Sequence, residues 1–119
     1  MSKKLIFVLE DDRDIRQMIQ IILSNMHYEV KTYSTVHDFT HVIPMILPDM
    51  FILDVMLPDG NGIDVCAKLK ANLDTSKIPV LIMSANTELY EINKAGCGND
   101  FMAKPFDIAK LREKVQRWI

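Results

Sequence analysis

Three short apolar runs without polar alternation constrain this chain more than any other feature: residues 5–9, 50–53 and 78–83. A strand with one wet face alternates, whereas one covered on both faces reads as a continuous apolar run. The runs therefore predict interior strands of a sheet with helices on both sides. Residues 28–33 do alternate, with Tyr28, Val30 and Thr32 on one face and Glu29, Lys31 and Tyr33 on the other, which suits an edge strand. Residues 100–103 form a weaker, shorter strand.

Helical patterns lie between these strands. Ile15, Met18, Ile19, Ile22, Leu23 and Met26 make a continuous apolar stripe. Ser34 or Thr35 can cap a helix carrying Val36, Phe39 and Ile43, limited by Pro44. Ile63, Cys66 and Leu69 or Lys70 mark a third, ending near Asn72. A short fourth helix is expected over 87–95, with Leu89 and Ile92 inward and Gly96 and Gly98 ending it. Ile108, Leu111, Val115 and Trp118 give a closing helix. Five strands alternating with five helices imply right-handed crossovers and an α/β, flavodoxin-like doubly wound fold with a five-stranded parallel sheet. The alternating strand belongs at an edge, which favours the order 2-1-3-4-5.

Composition narrows the function classes. The 119 residues suffice for one domain and one core, spanning 1–119. A formal net charge of −2 offers no basic footprint for nucleic acid. The apolar stretch before Glu10 is too short for a signal-peptide core or a membrane span, so the cytoplasm is the expected location. In that compartment Cys66 and Cys97 are expected to stay unbridged, Cys66 as a small core residue and Cys97 in a loop. His37 and His41 can share a helix face, but without a third ligand they read as surface residues.

The chemistry lies at the ends of the strands. The first strand is followed by Glu10 and Asp11, the third by Asp54, the fourth by Ser84 and Ala85, and the fifth by Lys104 and Pro105. In the order 2-1-3-4-5 these ends converge on one rim. Clustered carboxylates repel and call for a cation. An all-oxygen ligand set selects a hard ion, and Mg²⁺ fits a site with few protein ligands. Asp54 can then act as a nucleophile toward phosphorus. Lys104 and Ser84 would supply donors to phosphoryl oxygens, and Ala85 leaves room for the group. Asp12 is expected to cap the first helix. Asp59 is expected to be a loop acid, and Gly62 to hold a backbone conformation barred to other residues.

Residues 8–12, 53–62, 79–85 and 100–106, in this order and strand context, resemble a response-regulator receiver domain over essentially the whole chain. The resemblance implies Asp54 as phospho-acceptor, and Glu10, Asp11, Asp54 and the Met56 carbonyl as Mg²⁺ ligands. It also implies Ser84 and Phe101 as switch residues, Lys104 as the family's lysine, and a cis peptide bond before Pro105. The implied partner is a sensor histidine kinase or histidine phosphotransfer protein, with no nucleic acid or membrane bound by this chain. A homodimer through the fourth helix, fifth strand and fifth helix is a further expectation. The interval from Ser84 to Lys104 is shorter than usual in the family, which bears on that surface. Any further domain would be expected beyond residue 119. The competing expectations are a pseudo-receiver working without phosphorylation, a flavodoxin-like cofactor binder and an aspartyl phosphatase. The cofactor binder lacks a glycine-rich phosphate loop after the first strand. The phosphatase would need an acid where Met56 stands.

Overall fold

The computed structural model describes residues 3–43, 45–85 and 97–119. Leu5–Leu9 forms β1, Glu29–Tyr33 β2, Met50–Asp54 β3, Val80–Ser84 β4 and Asp100–Ala103 β5. They pair in parallel in the order β2-β1-β3-β4-β5, as the strand patterns predict. The helices are α1 (Arg13–Asn25), α2 (Val36–Val42), α3 (Gly62–Ala71) and α4 (Ile108–Trp118). The helix expected over 87–95 lies outside the described residues. After β3, Met56–Leu57 and Gly60–Asn61 form a small antiparallel hairpin.

Two apolar layers sandwich the sheet, because successive strand residues face opposite sides. Ile6, Val8, Met50, Ile52, Leu81, Met83 and Met102 pack with Ile19, Leu23, Leu111 and Val115 of α1 and α4. Phe7, Leu9, Phe51, Leu53, Ile82 and Phe101 pack on the other face with Phe39, Val65, Cys66 and Leu69 of α2 and α3. Every residue of β3 and β4 is buried, which explains why both are apolar up to their last residues, Asp54 and Ser84. β2, at the edge, keeps Glu29 and Lys31 exposed.

Side chains close the helix ends. Asp12 caps α1, accepting from the Ile15 N–H at 3.0 Å, and Thr35 caps α2 through the Asp38 N–H at 3.1 Å. His27 ends α1 with φ of 69°, a left-handed conformation costing a non-glycine residue roughly 1 kcal/mol. β4 starts at Val80, later than the apolar run suggests. Pro79 has no N–H for the ladder, and the Lys70 ammonium donates to the Ile78 carbonyl at 2.9 Å instead. In α4 only Leu111 and Val115 are buried. Ile108 faces outward, and Trp118 turns its indole N–H to Asp100.

Two expectations need correcting. Among the described residues no glycine has positive φ, so Gly62 is not there for conformational freedom. A Cβ on Gly62 would stand 2.0 Å from the Asp54 carbonyl oxygen; glycine lets α3 start directly against the end of β3. The cysteines are not separate either: Cys66 and Cys97 form a disulfide, with Cα atoms 6.2 Å apart. α3 turns Cys66 toward the sheet face carrying Ile82 and Phe101, and the turn into β5 brings Cys97 over the same spot. Neighbourhood in the fold, across a separation of 31 residues, makes the pair.

Candidate functional site

Strand register assembles the rim. Leu9 pairs with Leu53, so Glu10 comes level with Asp54. Asp54 pairs with Met83, which sets Ser84 one residue further out on β4. Ser84 pairs with Ala103, and the Lys104 N–H donates to the Ser84 carbonyl at 2.9 Å. Parallel strands of matched length thus bring four distant parts of the sequence to one edge, at the carboxyl ends where open α/β sheets bind ligands.

The resulting cluster is tightly charged. Glu10, Asp11 and Asp54 offer carboxylate oxygens all within 4.8 Å of one another. Glu10 is fully buried and Asp54 nearly so at 4% exposure, whereas Asp11 is exposed. The Lys104 ammonium reaches between them. It pairs with Glu10 Oε1 in a short hydrogen bond and lies 3.1 Å from Asp54 Oδ1. Burial pushes the Glu10 carboxyl up to about 7; the Lys104 hydrogen bond opposes the rise and the Asp54 charge adds to it. Burial alone would lower the Lys104 ammonium, but its Glu10 hydrogen bond and the Asp54 charge outweigh that and hold it above 10.5. Carboxylates gathered at this density are suited to a cation, and their oxygens fit Mg²⁺.

The remaining predicted positions are nearby with different exposures. Ser84 is buried at the end of β4 and Ala85 is exposed beside it. Met56 opens the hairpin with its side chain exposed. The Lys104–Pro105 peptide is cis. Phe101 lies two residues before Ala103, opposite Ile82, and is buried in the α3-facing layer.

Sequence reasoning missed two supports of this rim. The Arg16 guanidinium donates to the carbonyls of Glu10 and Asp11 at 3.1 and 3.2 Å, fixing the acidic loop from within α1. Its position one turn past the Asp12 cap was the only available sign. Asp59 accepts from the Val36 and His37 N–H groups at 2.8 and 3.0 Å. These bonds hold its carboxyl below the ordinary range and tie the hairpin to the start of α2. The His37 and His41 rings lie 4.7 Å apart between centroids, tilted by 45°, and among the described residues they belong to no larger ligand cluster.

The fold and this geometry can be set beside known proteins. A family model described as the response regulator receiver domain matches residues 6–116. The transcriptional regulatory protein KdpE of Staphylococcus aureus is 30% identical over 113 residues, covering 93% of this chain and 48% of that protein. The chain thus spans about half the length of that curated relative. Among solved structures, the chemotaxis response regulator CheY4 of Vibrio cholerae superposes with a TM-score of 0.91 at 23% identity, covering 99% of this chain and 100% of that one. The receiver domain of the sensor histidine kinase PA1611 of Pseudomonas aeruginosa, described with magnesium coordinated in its active-site cleft, gives 0.87 at 24% identity, covering 98% of each chain.

Proposed function

Since the chain belongs to the response regulator receiver domain family, we propose that it is a phosphorylation-controlled switch that takes a phosphoryl group onto Asp54. The observation carrying this reading is the rim cluster: Asp54 beside Glu10 and Asp11, with Lys104 Nζ at 3.1 Å. The donor is a phosphohistidine on a histidine kinase or phosphotransfer protein, and the setting is the cytoplasm. Among the described residues no helix is long and apolar enough to cross a membrane.

An Asp54 carboxylate oxygen attacks phosphorus, the P–N bond breaks and the imidazole leaves with its electron pair. The product is an acyl phosphate on Asp54. Glu10, Asp11, Asp54 and the Met56 carbonyl would hold Mg²⁺, which when bound neutralises phosphoryl oxygens. Lys104 can transfer a hydrogen bond from Asp54 to a phosphoryl oxygen, and the Ser84 hydroxyl donates to another. Ser84 and Phe101 move together: the hydroxyl is drawn inward toward the new dianion, and the Phe101 ring fills the space it vacates. Phosphorylation thereby selects one of two arrangements.

Incubation with acetyl phosphate and Mg²⁺ should add the mass of one phosphoryl group, and Asp54→Asn should abolish the addition. Failure of the unmodified chain to label, under conditions that label an authentic receiver, would sink the proposal.

A further inference from the structure

The Cys66–Cys97 pair lies outside the phosphorylation chemistry yet touches its switch. Cys66 is sealed in α3, in one packed cluster with Val55, Ile82 and Phe101; Cys97 lies half-buried at the edge of that cluster. Val55 directly follows Asp54. Gly98, next to Cys97, is pressed against the switch ring: a Cβ there would stand 2.8 Å from Ile82 Cγ1 and 3.3 Å from Phe101 Cζ. The bridge therefore pins the entry to β5 onto α3 with Phe101 held in its buried position.

In the cytoplasm proposed above, a reducing compartment, disulfides are mostly transient and redox-sensing. We propose that Cys66 and Cys97 are a reversible modification site for low-molecular-weight thiols and disulfides, and that the bridged form, by holding Phe101 in the buried position the ring takes when Ser84 is drawn inward, favours the phosphorylated arrangement of the switch. The coupling rests on the phosphorylation reading above; the reversible bridge rests only on the cytoplasmic setting.

The burial of Cys66 and the partial exposure of Cys97 set the order of steps. On oxidation, the Cys97 thiolate attacks a low-molecular-weight disulfide and releases one thiolate. Cys66 then gives up its proton, attacks the Cys97 sulfur and releases the second. Two electrons pass from the protein to the small disulfide. Reduction begins with an external thiolate at Cys97, and Cys66 leaves into an apolar pocket, which makes exchange slow.

Binding free energies couple reciprocally. If the bridge favours the phosphorylated arrangement, a phosphoryl mimic must make the bridge harder to reduce by the same factor. The full chain is equilibrated in anaerobic buffers spanning ratios of reduced to oxidised glutathione, alkylated, and scored by intact mass, with and without Mg²⁺ and beryllofluoride. Parallel samples of the native chain, Cys97→Ser and Cys66→Ala are treated with acetyl phosphate to score labelling. We expect a glutathione-titratable bridge whose equilibrium constant rises about tenfold with the mimic, roughly 30 mV for this two-electron couple. A bridge that never forms, or that persists at every ratio, overturns the modification site. An unmoved equilibrium in protein that does label at Asp54 overturns the coupling alone. Absence of labelling in all three proteins overturns the phosphorylation reading and the coupling with it, while the titration in glutathione still decides the bridge.

Discussion

Replacing Asp100 by Asn preserves the side chain's shape and removes its charge, at the point where α4 is tied to the sheet. The carboxylate accepts from Lys114 Nζ at 2.8 Å, Trp118 Nε1 at 3.0 Å, Arg117 Nη1 at 3.1 Å and the Phe101 N–H at 2.8 Å. Its side chain is 11% exposed and that of Lys114 14%, so their pairing is largely desolvated. Losing one partner of a buried pair costs roughly 3–5 kcal/mol. Arg117 is half-exposed and adds at most about 1 kcal/mol. The residual exposure of the carboxylate argues for the low end, about 3 kcal/mol, or a fall in Tm on the order of 10 °C for a chain of this size. The pH dependence separates this account from a mere packing defect. Burial alone would raise the Asp100 carboxyl, but the hydrogen bonds from Lys114, Trp118 and the Phe101 N–H outweigh it and hold it below the ordinary 3.8. The folded chain thus takes up this proton less readily than the unfolded one. The stability it contributes is complete above 3.8 and is lost as pH falls through the lower, folded-state value. Urea denaturation of both proteins from neutral to acid pH should show a constant gap that closes only below that point. A gap under about 1 kcal/mol at pH 7, or one that persists unchanged into strong acid, would refute the reasoning. Lys114→Met should also cost less in the Asp100→Asn background than in the native chain.

Two further substitutions probe the rim. Gly62→Ala should destabilise the fold by about 3 kcal/mol by thermal or chemical melting, because the clash is with the Asp54 carbonyl and the backbone itself must shift; a near-neutral effect would mean α3 can slide without cost. Lys104→Met removes the cation held 3.1 Å from Asp54, so calorimetric Mg²⁺ affinity should rise about tenfold. Unchanged or weaker binding would show that Lys104 does not oppose the metal.

Local patterns foretold the layers because each strand and helix writes its burial into its own residues. The full burial of β3 reads as Met-Phe-Ile-Leu, and the open edge of β2 as alternation. The rim was legible for a related reason: parallel pairing brings every strand's carboxyl end to the same side, so Glu10, Asp54, Ser84 and Lys104 needed only a strand order to meet. What escaped depends on contacts between elements with no periodic trace. Asp59 reaches back to α2, Gly62 answers a neighbouring carbonyl, and Cys66 meets Cys97 only after α3 and β5 have docked. Compartment reasoning kept those thiols apart, and packing brought them together.

The charged edge at β2 has a bearing on crowding. Glu29 and Lys31 alternate along a strand of only five residues, and a second copy adding itself there would have to strip both of water. The opposite border, β5, offers just four residues and carries Asp100, already engaged by α4. Neither border is a good template for runaway strand-on-strand growth. Both borders thus set a cost on a second copy that seeks to extend the sheet.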